Sequence, residues 1–417
     1  MTPRWTDMTR TFGRIGLLSF GGPAAQIALM HDTLVARRKW LSEAEYLRAL
    51  SLCMLLPGPE AMQLATYAGW RLRGMLGGLL AGLLFVGPGA VVILVLALGY
   101  IQYGDLPLVR AAFLGVKAAV IVIVLQALMR LARKALTGVA EWALAGGAFA
   151  ALFLFGLPFP AVVLAAGLIG YASTRAAPAP VPPPDQNPSR TIRTVLIFGA
   201  VWSAPLLLCW IFAQTFLLQI GAFFSKLAVV TFGGAYAVLA YMTQEVVQTH
   251  GWIETGQMVD ALGLAETTPG PLILVTEFVA LLAGYANGGL AMALAAGALT
   301  LWVTFVPCFL WIFAAGPYLD HIAARPRLSG ALQAITAAVV GVILNLSVWF
   351  ALNVLFARVE TGWFLALPRP DWATLDPWAA ALTVCAMVLM LRFRVGLVTS
   401  LGVLAVTGAA LGMAGVV

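Results

Sequence analysis

The residues best suited to chemistry in this sequence are two buried-looking cations and four interruptions of apolar stretches, and together they suit the holding of an anion. Arg14 and Lys226 each stand six residues before a Phe-Gly-Gly, at Phe20-Gly21-Gly22 and Phe232-Gly233-Gly234. A cation at the centre of a bilayer costs about 2.5–3.5 kcal/mol unless it meets a partner or water, so a matched pair suggests two positive charges flanking one anionic substrate. Ser19 and Thr231 add hydroxyl donors beside glycines that permit close backbone approach. Pro57-Gly58-Pro59 and Pro269-Gly270-Pro271 interrupt two further stretches. Proline in the first turn of a resumed helix forfeits no hydrogen bond, and the residues after Pro59 and Pro271 would then be helix N-termini with their positive dipole ends. Burial disfavours the charged form of a carboxyl, as a proton-coupling group requires, and Glu60, Glu266 and Glu277 are the candidates. Glu60 would serve equally as a complement to a helix start. Lys117 is a further charge inside an apolar stretch, paired with either a helix carbonyl or a carboxylate; Glu266 and Glu277 are candidate partners for it or for Lys226.

Elements that could hold such groups follow from composition. The chain has 417 residues, 62% hydrophobic and 10% charged, too few charges to clothe a domain in water, so an integral membrane protein is expected. Apolar stretches long enough for a roughly 30 Å hydrocarbon core run near Gly77 to Tyr100, Val109 to Leu131, Val195 to Ala213, Gly288 to Ala315, Ala331 to Phe356 and Trp378 to Met390. Others contain Gly21-Gly22-Pro23, Pro57-Gly58-Pro59, or Pro158 with Pro160, and read as broken or re-entrant helices. The Pro-rich segment within 174–193 is a cytoplasmic linker between an N-terminal transporter repeat, 1–173, and a C-terminal one with an extra leading span, 194–417.

The two-repeat reading rests on self-comparison. At an offset of roughly 212 positions, Phe20-Gly21-Gly22 falls on Phe232-Gly233-Gly234, Trp40 on Trp252 and Pro57-Gly58-Pro59 on Pro269-Gly270-Pro271, without a gap. After a short insertion, Ala118-Ala119-Val120 meets Ala337-Ala338-Val339. Loop charges invert between the copies. Arg37, Arg38, Lys39, Arg71, Arg73, Arg130, Arg133 and Lys134 mark cytoplasmic loops of the first, whereas the second carries Arg325 and Arg327 in the loop the first fills with Gln102 to Leu108. The expected fold is therefore an all-α polytopic membrane protein, two homologous halves forming an inverted-topology repeat with broken helices, a plan recurrent among secondary transporters.

Other classes fit less well. Cys53, Cys209, Cys308 and Cys385, and His31, His250 and His321, are scattered without metal-ligand or dithiol spacing, so neither a metal nor another cofactor is expected. No basic run is interleaved with aromatics, and the net charge of +7 reads as an orientation signal instead of a nucleic-acid footprint. The charged N-terminal residues argue against a cleavable signal. A membrane-embedded enzyme is the rival from another class, but no nucleotide or flavin motif supports it.

The run FGGPAAQIALMHDTLVARRKWLSEAEYLRALSLCMLLPGPEAMQLATYAGWRLRG resembles the N-terminal signature of the chromate ion transporter family, and FGGAYAVLAYMTQEVVQTHGWIETGQMVDALGLAETTPGP resembles the box that opens its second half. The resemblance implies a long, two-domain bacterial member exporting chromate across the inner membrane, driven by membrane potential or proton gradient and conferring chromate resistance. Sulfate, an isosteric dianion, is the natural competitor and the alternative cargo. The expected partners are thus chromate, with sulfate as the alternative cargo, the lipid bilayer and a second copy in a homodimer, with no nucleic acid. The chain departs from the family pattern at Thr33, Met54, Ala235 and Ala240.

Overall fold

Proline and glycine set where the helices stop. The computed structural model describes residues 3–175, 188–232, 235–319, 325–361 and 367–415. In the first copy α1 is Trp5–Leu18, α2 Gly22–His31, α3 Glu43–Leu55, α4 Glu60–Tyr103, α5 Pro107–Ala135, α6 Val139–Phe153 and α7 Phe159–Ser173. An extra helix, α8 (Pro188–Ile211), precedes the second copy: α9 Thr215–Val230, α10 Ala235–Thr243, α11 Thr255–Thr267, α12 Val275–Ala315, α13 Pro326–Leu355, α14 Pro377–Met387 and α15 Leu397–Met413. A short antiparallel hairpin, β1 (Val359–Thr361) with β2 (Pro368–Pro370), is inserted before α14.

The copies repeat in detail. Both α2 and α10 run on into a π-helical turn, Asp32–Arg37 and Gln244–Thr249. Both α4 and α12 are two helices folded across a break with the same geometry, Arg73 (φ −145°) and Gly74 (φ 63°) in one, Gly288 (φ −157°) and Gly289 (φ 71°) in the other. Small residues let the folded-back halves touch. A Cβ on Gly69 would stand 2.2 Å from Gly77 O, and one on Gly284 would stand 2.7 Å from Ala293 Cα.

Among the described residues, five helical stretches are long and apolar enough to cross a membrane: Glu60–Tyr103, Pro107–Ala135, Ser189–Ile211, Leu272–Tyr318 and Pro326–Leu355. The stretch expected as a span at Trp378 to Met390 is shorter. Asp376 caps α14 by accepting from the amides of Trp378 (2.8 Å) and Ala379 (3.0 Å), and the helix passes into a π turn ending at Arg392.

Two compact units each draw on both copies. Unit one comprises Met1–Ala97, Tyr171–Ala235 and Thr268–Leu332; unit two comprises Leu98–Gly170, Tyr236–Thr267 and Gln333–Val417. Within unit one α1 crosses α4 at Gly16, where a Cβ would lie 2.1 Å from Leu84 O. The α8 and α12 helices exchange indole hydrogen bonds, Trp202 Nε1 to Val303 O (3.1 Å) and Trp302 Nε1 to Val201 O (2.9 Å). Unit two is built on α5, which packs closely on α15; a Cβ on Gly115 would stand 1.9 Å from Leu404 O and one on Gly408 2.3 Å from Ala111 O.

Candidate functional site

Three helix interruptions and the end of α9 meet in unit one, and they are tied crosswise between the copies. Gly58 N donates to Thr231 O at 3.0 Å, and Gly270 N donates to Ser19 O at 2.9 Å. Each Pro-Gly-Pro is thereby hydrogen-bonded to the residue ahead of the other copy's Phe-Gly-Gly. Ser19 and Thr231 are both buried, and each turns its hydroxyl back into its own helix, Ser19 Oγ to Ile15 O at 2.6 Å and Thr231 Oγ1 to Leu227 O. Their hydroxyls are thus engaged within the helix, while their carbonyls make the crossing contacts.

Two glutamines that sequence reasoning did not single out complete the junction. Gln26 Nε2 donates to Gly270 O (2.6 Å) and Ser19 O (3.2 Å), so one amide holds both strands of one crossing. Gln63 Nε2 donates to Pro57 O at 2.6 Å. Both side chains are buried, and Oε1 of each makes no hydrogen bond among the described residues. A buried acceptor left unmatched is costly, so these amides mark a place where a donor would be welcome. The signal in the sequence is a primary amide inside an apolar helix, three or four residues after a proline; taken singly it is too common to find them.

The glycines differ in their reasons. Gly21 and Gly22 adopt successive left-handed conformations, φ 86° and 79°, at the start of α2, and nothing within 4 Å would meet a Cβ on Gly22. Conformation explains them, and the space beside the helix start is open. At Gly58 (φ 116°) a Cβ would meet Gln63 Nε2 at 2.9 Å and Cys308 Sγ at 3.0 Å, so close approach applies as well. Gly233 and Gly234 lie outside the described residues.

Pro23 and Gln26 of α2, Gly58 to Ala61 at the start of α4, Thr231, and Pro271 to Ile273 ahead of α12 line one small pocket of about 20 Å³. Pro57, Gly58 and Pro59 form the link from α3 to α4, and Pro269, Gly270 and Pro271 the link from α11 to the turn before α12. Three helix starts therefore converge, each with amides that have no partner inside the helix. Glu60, half-buried, brings a carboxyl to the same place.

The other candidates lie elsewhere. Arg14 and Lys226 are exposed on α1 and α9 and neither lines the pocket. Glu277 is buried in the first turn of α12, with Oε2 making no hydrogen bond among the described residues. Glu266 falls in the last turn of α11; its side chain lies outside what is described. Lys117, in unit two, pairs at 3.1 Å with Asp260, a carboxylate that sequence reasoning had not named. Among the described residues no group of three His, Cys, Asp or Glu side chains is arranged to hold a metal ion.

Comparison with known proteins bears on what this junction serves. Residues 6–171 and 218–413 match the family described as chromate transporter. The chain is 33% identical over 342 residues to a chromate transport protein of Pseudomonas aeruginosa, covering 80% of this chain and 77% of that one. It is 32% identical over 333 residues to a chromate transport protein of Cupriavidus metallidurans (80% and 79%), and 31% identical over 338 residues to a probable chromate transport protein of Synechococcus elongatus (81% and 82%). No solved structure matches it significantly.

Proposed function

The chain belongs to the chromate transporter family and is a multi-pass membrane protein, and from that premise we propose that it exports chromate across the inner membrane by secondary active transport. The observation that carries the reading is the convergence of the starts of α2, α4 and the turn before α12 on one pocket built from both copies. Helix starts present unpaired N–H groups and a positive dipole end, and a tetrahedral dianion accepts hydrogen bonds from several directions at once. Sites between broken helices recur among secondary transporters that work by alternating access.

About 20 Å³ is room for one water, so chromate enters only when the helix breaks part. The contacts to be exchanged are the crossed pair, Gly58 to Thr231 and Gly270 to Ser19. Gln26 and Gln63 would turn their amides to the anion as those contacts loosen. Glu60 competes with an incoming dianion for the same helix starts, and a proton on its carboxyl removes that competition. Such a coupling, with Glu266 and Glu277 as the other candidate carboxyls, would let a proton gradient drive the cycle alongside the membrane potential. Arg14 and Lys226, exposed as they are, would draw the anion by their field without lining the pocket.

Chromate flux into everted membrane vesicles, with and without an imposed proton gradient and with sulfate as competitor, tests the reading. Saturable, gradient-dependent accumulation is expected, with a raised apparent KM for chromate in Lys226→Gln at unchanged protein abundance. Sulfate flux without chromate flux would keep the architecture and change the cargo; flux of neither would overturn the reading, and reduction of chromate by the purified protein would favour an enzyme.

A further inference from the structure

Unit two holds a buried charge cluster that the pocket in unit one does not use. Lys117 Nζ on α5 stands 3.1 Å from Asp260 Oδ1 on α11, and the Tyr100 hydroxyl near the end of α4 donates to Asp260 Oδ2 at 2.8 Å. The Asp260 side chain is 8% exposed and that of Lys117 23%. Oδ2 is thus hydrogen-bonded from α4, whereas Oδ1 faces the Lys117 ammonium of α5 as an ion pair and makes no hydrogen bond among the described residues. Ion pairs withdrawn from water rarely repay their desolvation, and apolar replacements often do as well, so stability alone does not account for this one.

The cluster is also confined to one of its two repeat-related positions. Where α11 carries Asp260, α3 carries the exposed Arg48, and where α5 carries Lys117, α13 carries Thr336. An ion pair therefore fastens α11 to α5, while its counterpart elements lack the acidic partner. The α11 helix ends at Thr267 and the chain runs straight into Pro269-Gly270-Pro271. The α11 helix is thus covalently continuous with the second helix break.

We propose that Asp260 is a proton-binding site, and that its protonation releases Lys117 and unfastens α11 from α5. The proton comes from water on one side, binds a carboxylate oxygen, and leaves to water when the pair re-forms; no other bond changes. Neutral Asp260 leaves the Lys117 ammonium without a counter-charge in an apolar setting, and its partly exposed side chain can swing toward water. The groups facing Asp260 are Lys117 from α5 and Tyr100 from α4, with Asp105 and Glu254 acting on Tyr100 at longer range; α15, which also packs on α11, has no titratable side chain. Arg110 is engaged by Asp105 at 2.6 Å. The inference rests on the proton-driven part of the proposed function and names a carboxylate for it.

Infrared titration of the reconstituted full-length protein between about pH 4 and pH 9 reads carboxyl protonation directly and needs no cargo. A protonated-carboxyl band present in the wild type and missing from Asp260→Asn is expected, and missing also from the charge-neutral double variant Lys117→Gln/Asp260→Asn, which does not leave Lys117 unpaired. Identical bands in wild type and both variants would overturn the proposal. In proteoliposomes, the stimulation of chromate flux by an imposed pH gradient should vanish in Asp260→Asn; undiminished stimulation would overturn it. A wild type that carries no chromate yet loses the band on Asp260→Asn would sink the cargo assignment and leave the proton site standing.

Discussion

The backbone amide of Gly58 donates to the carbonyl oxygen of Thr231 at 3.0 Å. These residues are far apart in sequence and belong to different copies of the repeat, and the same contact recurs with the copies exchanged, from Gly270 to Ser19 at 2.9 Å. Two helix breaks that would each expose unpaired backbone in an apolar medium thus pair with one another. Irregular backbone at membrane depth is tolerated where protein supplies such partners.

Gly58→Ala should be more damaging than Gly22→Ala. Both residues sit at positive φ, where an L side chain is strained by about 1–3 kcal/mol, but only at Gly58 does the added Cβ also meet neighbours, Gln63 Nε2 and Cys308 Sγ. Thermal unfolding in detergent should show a larger fall in midpoint for Gly58→Ala, and equal falls would mean that the close packing contributes nothing.

Gln26→Leu removes the one donor shared by Ser19 O and Gly270 O. An unmatched buried acceptor costs roughly 1–3 kcal/mol, so the variant should melt lower and lose transport together. Unchanged melting and flux would show the amide to be dispensable to the junction.

Lys117→Ala strands a buried carboxylate and should destabilise by roughly 3–5 kcal/mol, whereas Lys117→Ala/Asp260→Ala removes both charges and should cost less than the two single changes together. A double-mutant cycle on unfolding midpoints reads the difference. Strict additivity would show that the 3.1 Å contact carries no coupling.

The start of α3 gives a pH-dependent contribution outside the spans. The Ser42 amide donates to Glu45, Arg71 pairs with it at 3.1 Å, and these hold the Glu45 carboxyl below the usual glutamate range. Its contribution to stability is present above the unfolded-state value and lost as pH falls through the lower folded-state value. The difference in melting between wild type and Glu45→Gln should therefore shrink on acidification from neutral pH. A difference that grew instead would reverse the sign of the shift.

Much of this protein was legible in the order of its residues. The duplicated Phe-Gly-Gly and Pro-Gly-Pro motifs told where helices break, because glycine and proline act through local backbone geometry that needs no knowledge of neighbours. Composition told that the chain lives in a membrane, because a shortage of charge is a property of the whole sequence. Partnership was not legible. Arg14 and Lys226 looked like a matched pair by spacing, yet both are exposed, because the face a helix turns inward depends on what packs against it. Lys117 looked as fit for Glu266 or Glu277 as for any carboxylate, and the fold gave it Asp260, far along the chain. Gln26 and Gln63 carried no signal until the breaks they hold were brought beside them. Local backbone chemistry and overall hydrophobicity are written residue by residue in the sequence, whereas which buried donor meets which acceptor is decided only when distant helices pack and water is driven from between them.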